Sequence, residues 1–272
     1  MSQVNTQQMG RFIAAGSKDK LGGAIEALAH LNALHILDYD GTEDGFSLGT
    51  PDPSSEEVGR SLVKARSAAS IIEFNGPERA VPSAPVRDSL SNELPGKIDD
   101  LLQAQSRIDE LDNEISSTEE EEASLEMVAS LGLDIELLSG YDSLSSFVGT
   151  VTEPIQPSSL GESSMVFNSK NGKQNMVAVF VRNDKSQDAA NVLESVGFES
   201  IPLPTGKGSP ADRLSQVKGR KHDLTSEREE LAKAIEEWID ANGEDLACGL
   251  EVLERDHDVL TAPTRVAVSD HA

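Results

Sequence analysis

The sequence predicts an α+β protein: an elongated dumbbell with two small ferredoxin-like α/β lobes joined by a long antiparallel two-helix coiled coil. Three observations predict it. Two heptad runs, over 94–130 and 210–256, carry stripes too narrow for a globular core and wide enough for one partner helix. Strand and helix patterns alternate both before the first run and between the two. Aromatics make up only 4% of the 272 residues, which suits several small cores better than one large one.

The elements follow in order. Residues 1–8 are polar and read as frayed. Arg11-Phe12-Ile13-Ala14-Ala15-Gly16 reads as a short strand, Lys18 to Ala33 as a helix, and Ala33-Leu34-His35-Ile36-Leu37-Asp38 as a second strand. Together they make a βαβ unit with a right-handed crossover. Asp40 to Ser54 is rich in Gly, Pro, Asp, Ser and Thr and reads as a loop. Ser54-Ser55-Glu56-Glu57 opens a helix with acids in its first turn, continued on one face by Val58, Leu62, Ala65, Ala69 and Ile72. Residues 75–93, with Pro77, Pro82 and Pro85, read as a linker.

The first heptad run places Leu94, Ile98, Leu101, Gln105, Ile108, Leu111, Ile115, Thr118, Glu122 and Leu125 on one stripe. A phase step near Ile108-Leu111-Ile115 predicts local overwinding or a short break in supercoil register. The second run places Leu214, Val217, Lys221, Leu224, Arg228, Leu231, Ile235, Trp238 and Asn242 likewise and decays near Asp256. Runs of about 37 and 47 residues span roughly 55 and 70 Å.

Between them, strands are expected at Ser146–Val151, Met165–Phe167, Asn175–Arg182 and Phe198–Ile201. Asn171-Gly172 signals a hairpin, Lys185–Val196 a helix, and Ser158–Gly161 a short helix. The order is β-α-β-β-α-β, that of a ferredoxin-like unit. Thr264–Val268 has strand character and is expected to return beside 11–16 and 33–38. The domains are therefore 1–85 with 258–272 as a proximal lobe, 86–133 and 209–257 as the coiled coil, and 134–208 as a distal lobe.

Net charge is −25, which argues against nucleic acid or an anionic membrane surface as a partner. The acids lie along the whole length, resembling the surfaces of proteins from salt-loving archaea, where salt screens self-repulsion. One cysteine, Cys248, excludes an internal disulfide and fits a cytosolic setting. No run of 18 apolar residues exists and no leader pattern opens the chain, so this chain is not expected to span a membrane by itself.

Catalytic, cofactor-binding and metal residues are not assigned. His30 and His35 lack a cysteine or third histidine, and His222, His257 and His271 are isolated. Cys248 reads as a buried structural thiol rather than a nucleophile. Gly16 to Gly23 and Gly206-Lys207-Gly208-Ser209 lack the spacing of a phosphate loop and read as a helix start and a turn. Thr118 to Glu122 reads as a solvated helix face rather than a calcium or other metal site, because consecutive acids on a helix diverge. Gln105, Lys221, Arg228 and Asn242 at heptad positions read as fixing register and orientation, alongside packing of their aliphatic stems.

The order of parts resembles subunit I of archaeal A-type and related V-type ATP synthases, equivalent to the a subunit of rotary ATPases. Arg11–Asp40, with Leu34-His35-Ile36-Leu37-Asp38-Tyr39 at its end, carries part of the resemblance. The helix around Leu62–Ile72, Gly140-Tyr141-Asp142-Ser143-Leu144 running into Phe147–Val151, and the closing Thr264–Val268 carry the rest. The resemblance implies a non-catalytic stator part on the cytoplasmic side. Its lobes would anchor the peripheral-stalk subunits and link them to the membrane ion-translocating sector. In that family a membrane domain follows, with ion half-channels and an arginine facing the rotor. This sequence stops at Ala272, before the second half of the proximal lobe and before every membrane helix, so the ion path is not expected here and residues 264–268 are expected to be loosely held. No cofactor, nucleic acid or small-molecule substrate is implied. Two other readings are a free-standing coiled-coil adaptor with two α/β interaction modules and a small-ligand regulatory domain, since ferredoxin-like lobes host many functions.

Overall fold

The computed structural model describes residues 10–31, 35–72, 76–77 and 81–269. It is a mixed helix-and-sheet fold with two long helices, whose contacts divide it into two units. One holds Met1–Ala104 and Ile235–Ala272, the other Gln105–Ala234.

In the first unit a 3-10 turn at Lys18–Lys20 leads into α1 (Leu21–His30), and α2 spans Ser55–Ile71. Asp52 accepts the amide of Ser54 at 2.9 Å, ordering the chain just before α2, and Glu56 and Glu57 complement the helix dipole in its first turn. α2 buries Leu62, Ala65, Ala68 and Ala69 on one face. In the same unit the first turns of α4 (Leu94–Ala129) bury Leu94, Ile98 and Leu101, and the last turns of α6 (Pro210–Thr261) bury Leu246, Ala247, Cys248 and Leu253. Small residues let these helices approach closely. At Gly249 a Cβ would stand 3.0 Å from Leu94 Cδ2 and 3.2 Å from Leu90 Cδ2. Lys64 pairs with Asp99 at 2.7 Å, Arg66 with Glu254 at 2.9 Å and Arg87 with Asp256 at 2.5 Å. The Trp238 indole N–H donates to the Lys97 carbonyl at 3.0 Å.

Several expectations for this unit are corrected. Arg11–Gly16 form no strand, and Phe12 and Ile13 stand 60% and 87% exposed. That segment has no apolar–polar alternation to fix a buried face, so nothing selects a strand partner for it. Of the second expected strand, 33–34 lie outside the described residues and 35–38 form none. The βαβ unit is therefore absent among the described residues. Instead β1 (Ser47–Leu48), inside the expected loop, pairs antiparallel with β6 (Ala267–Val268). Gly49 permits this approach, because a Cβ there would collide with the Pro263 carbonyl.

Residues 264–268 are not loose. Tyr39 N–H donates to Arg265 O at 2.9 Å, Gly49 N–H to Val266 O at 3.3 Å, and the Arg265 guanidinium to Ile36 O at 2.8 Å and to Asp38. The expected linker contains α3 (Ser83–Ser91). Pro85 sits in its first turn, where a missing N–H costs little, and Leu90 packs at Gly249.

In the second unit a four-stranded antiparallel sheet has the order β3-β4-β2-β5. Its strands are β2 (Leu144–Val151), β3 (Met165–Asn171), β4 (Gln174–Arg182) and β5 (Glu199–Ser200). The hairpin forms at Gly172-Lys173, where Gly172 takes φ +59°. The expected first helix is only a 3-10 turn at Pro157–Ser159. α5 (Ser186–Ser195) follows β4.

Central β4 explains its own apolar run, because both of its faces are covered. Met176, Ala178 and Phe180 pack with Val128 in the last turn of α4 and with Leu131 and Leu138 beyond it, while Val177, Val179 and Val181 pack with Ala189 and Leu193 of α5. On edge strand β3, the Asn168 side chain bonds both backbone groups of Ile155, at 3.1 and 2.9 Å, and so ties the 152–164 connection to the sheet.

Candidate functional site

The feature that most distinguishes this chain is how α4 and α6 meet in the second unit. They are antiparallel there, since partners on α6 run overall from 227–228 down to 213–218 as those on α4 run from 107 up to 126. Arg107 meets Glu227 at 2.9 Å, Arg228 meets Asp112 at 2.5 Å and Arg220 meets Glu114 at 3.2 Å. Lys221 lies 3.0 Å from Glu119 and 3.1 Å from Glu122. Arg213 meets Glu121 at 2.8 Å, and Lys218 lies 3.6 Å from Glu122 and 2.8 Å from Glu126.

The apolar contacts under this clasp are sparse. Between Leu111 and Leu125, both buried, the only other buried α4 side chains are Thr118 and Ser124, both polar. Each is satisfied, Thr118 Oγ1 donating to Glu114 O and Ser124 Oγ to Pro202 O, both at 2.7 Å. The facing part of α6 buries Val217 and Leu224. Apolar packing resumes with Leu125, Val217 and Ile135 in one cluster. Ordinary apolar burial contributes about 1.5–3 kcal/mol per large side chain. Where it is thin, the choice of which residues face one another passes to charge.

The electrostatics agree with the geometry. Glu119 and then Glu122 hold the Lys221 ammonium above its ordinary pKa, and Lys221 foremost holds Glu122 below its own. Glu126 raises Lys218, and Asp112 raises Arg228.

The polar heptad residues separate into two kinds. Lys221 and Arg228 reach across to the partner helix. Gln105 and Asn242 instead bond within their own helices, to Asp109 at 2.9 Å and to Trp238 O at 3.1 Å. Of the acids in Thr118–Glu122, Glu119, Glu121 and Glu122 are ion-pair partners of α6 cations rather than parts of a bare solvated face. Reading the run alone missed this. The available signal was opposite charge on two separate segments: nine acids and no cation over 109–126, against five cations over 213–228.

The remaining candidates do not assemble. No cluster able to hold a metal occurs among the described residues. His30 ends α1, His35 and His222 are exposed, His257 lies beside Gly59, and His271 is outside the described residues. Cys248 is buried. Lys18–Lys20 form a 3-10 turn into α1. In the other glycine-rich segment the Gly208 N–H is taken by Glu136 at 2.6 Å, which lowers that carboxyl's pKa, and Ser209 Oγ accepts the Ala211 N–H at 3.2 Å. Among the described residues no helix is long and apolar enough to cross a membrane.

No protein-family model matches the chain. Two curated proteins do. An A-type ATP synthase subunit I of Halobacterium salinarum is 31% identical over 99% of this chain and 38% of its own length. One of Archaeoglobus fulgidus is 32% identical over 74% of this chain and 30% of its own length. The chain thus spans well under half of either relative. The fold is similar to a crystal structure of the cytoplasmic N-terminal domain of subunit I, homolog of subunit a, of V-ATPase. That similarity has a TM-score of 0.51 and 16% identity, and covers 92% of this chain and 88% of that one.

Proposed function

This chain is a homologue of A-type ATP synthase subunit I, and from that premise we propose that it is a non-catalytic stator part of a rotary ATP synthase. In this reading it works on the cytoplasmic side of the membrane. It holds the peripheral-stalk subunits and connects them to the ion-translocating sector. Residues 134–208 are taken as a ferredoxin-like distal lobe, supported by the antiparallel strand order and by helix α5 after β4. The paired stretches of α4 and α6 are the part that bears load.

The observation that carries the reading is homology over nearly the whole chain to proteins of that name. The second unit is built as such a role requires. A sheet buried on both faces resists shear, and the clasped helix pair ends in its apolar layer. The proposed mechanism is mechanical: reaction torque passes as force along helices whose alignment is fixed.

The test uses the full-length protein, tagged in its native host and purified under the salt of that host. ATP synthase subunits should co-purify in fixed proportion. Recovery of the protein alone, from cells whose ATP synthase is intact, contradicts the reading.

A further inference from the structure

The α4–α6 clasp carries an inference that does not depend on the stator reading. We infer that Lys221 is a positioning residue which fixes the alignment of α4 against α6, through its simultaneous contact with Glu119 and Glu122. Its position is that of a core residue, one heptad from both Leu214 and Arg228 and four residues after Val217. Its ammonium lies 3.0 Å from Glu119 and 3.1 Å from Glu122, carboxylates one turn apart on α4. Glu122 is only 18% exposed and is shared with Lys218 at 3.6 Å. On either side of this contact α4 buries no apolar side chain between Leu111 and Leu125.

The physical consequence is specific. An apolar core tolerates sliding, because one methyl group replaces another. A cation bridging two carboxylates one turn apart does not, because a shift of a turn or a rotation of the helix breaks at least one contact. Polar core positions of this kind give up stability for a single alignment. Thr118, the buried α4 residue nearest the bridge in sequence, bonds its own helix and adds no alignment information. In the outer pairs, Arg228–Asp112, Arg220–Glu114 and Arg213–Glu121, each cation is more exposed than Lys221 and bridges to one acid of the partner helix, so these pairs follow the pin.

The experiment places spin labels on Ser117→Cys and Ser215→Cys, both at exposed positions, with Cys248 buried and outside the labelled unit. The distance between labels is measured in the full chain. With Lys221 in place a single population is expected. Lys221→Leu should leave the thermal midpoint equal or higher, yet show a second distance population of roughly a tenth or more. Lys221→Glu should also show two populations. Adding Glu119→Lys and Glu122→Lys to that variant reverses the charges and should restore one. A single unchanged distance in Lys221→Leu overturns the inference. So does a second population that persists in the charge-reversed triple variant, and this arm reads out even if the leucine variant fails to fold.

Discussion

At the scale of single residues, glycine and tryptophan set the closest approaches in the first unit. Gly249 lies on α6 where Leu90 and Leu94 come within 3.2 Å of an added Cβ. Gly249→Val should therefore destabilise by about 1–3 kcal/mol through overpacking, read as a lower midpoint in thermal unfolding. Trp238 ties α6 to the first turn of α4 through the Lys97 carbonyl at 3.0 Å. Trp238→Phe keeps most of the buried ring and removes the donor, so a loss of about 1 kcal/mol is expected in denaturant titration. Trp238 was legible as a core position from heptad spacing. Its hydrogen bond was not, because a bond to one particular carbonyl depends on the axial offset of two helices 141 residues apart in sequence.

At the scale of elements, the two long helices could be read in the sequence with bounds accurate to a few residues. α4 spans Leu94–Ala129 and α6 spans Pro210–Thr261. Of their buried residues, Leu94, Ile98, Leu101, Ile108, Leu111, Thr118, Leu125, Val217, Leu224 and Ile235 fall on the expected stripes, while Ser124, Val128, Leu246, Ala247, Cys248 and Leu253 lie outside them. Strand positions in the second unit were also legible, since Asn-Gly and the NMVAVFVR run are strong local signals. In the first unit α1 and α2 were legible too, but the small sheet was not. That sheet has two residues in each strand, and Ser47-Leu48 lies in a segment whose Gly, Pro and Asp content outweighs any strand signal. α3 was hidden by three prolines in its neighbourhood, one of which fits its first turn.

Two predictions belong to this scale. The amides of Tyr39, Gly49 and Asp52 should be protected in hydrogen exchange by their bonds to Arg265, Val266 and Leu260. Exchange at the intrinsic rate would contradict the pairing of this segment with the C-terminal residues. Replacing Leu231 and Ile235 together by aspartate should unpair α6 from α4 and lower the helical signal in circular dichroism at low salt. The sheet, whose core uses neither residue, should stay folded, as read from protection of β4 amides.

At the scale of the whole molecule, charge dominates. A net charge of −25 repels itself, so the thermal midpoint should rise as salt screens the repulsion. Acid has a definite sign. Glu122 and Glu136 have folded-state pKa values below the ordinary 4.5, Glu122 chiefly through Lys221 and Glu136 chiefly through the Gly208 N–H. Just below pH 4.5 the unfolded chain therefore binds more protons at these groups. Their stabilisation is present above that pH and is lost as pH falls through the lowered values. Lys218 and Lys221, raised above 10.5, contribute stability below that pH and lose it as pH rises through the raised values. Chemical denaturation of the chain beside its Glu122→Gln variant, at pH 6, 4 and 3 and fixed salt, should show the stability difference between the two shrinking in that order. A difference that grows towards pH 3 would contradict the assignment of the clasp as a stabilising contact.

The stator role proposed for this chain requires that it hold the peripheral stalk. The most direct test is titration of the purified 272-residue chain with the purified peripheral-stalk subunits of the same ATP synthase, followed by size-exclusion chromatography with light scattering. A complex of defined stoichiometry containing the chain and the stalk subunits is expected. Elution of chain and stalk as separate species across the titration, at the salt of the native cell, would contradict it.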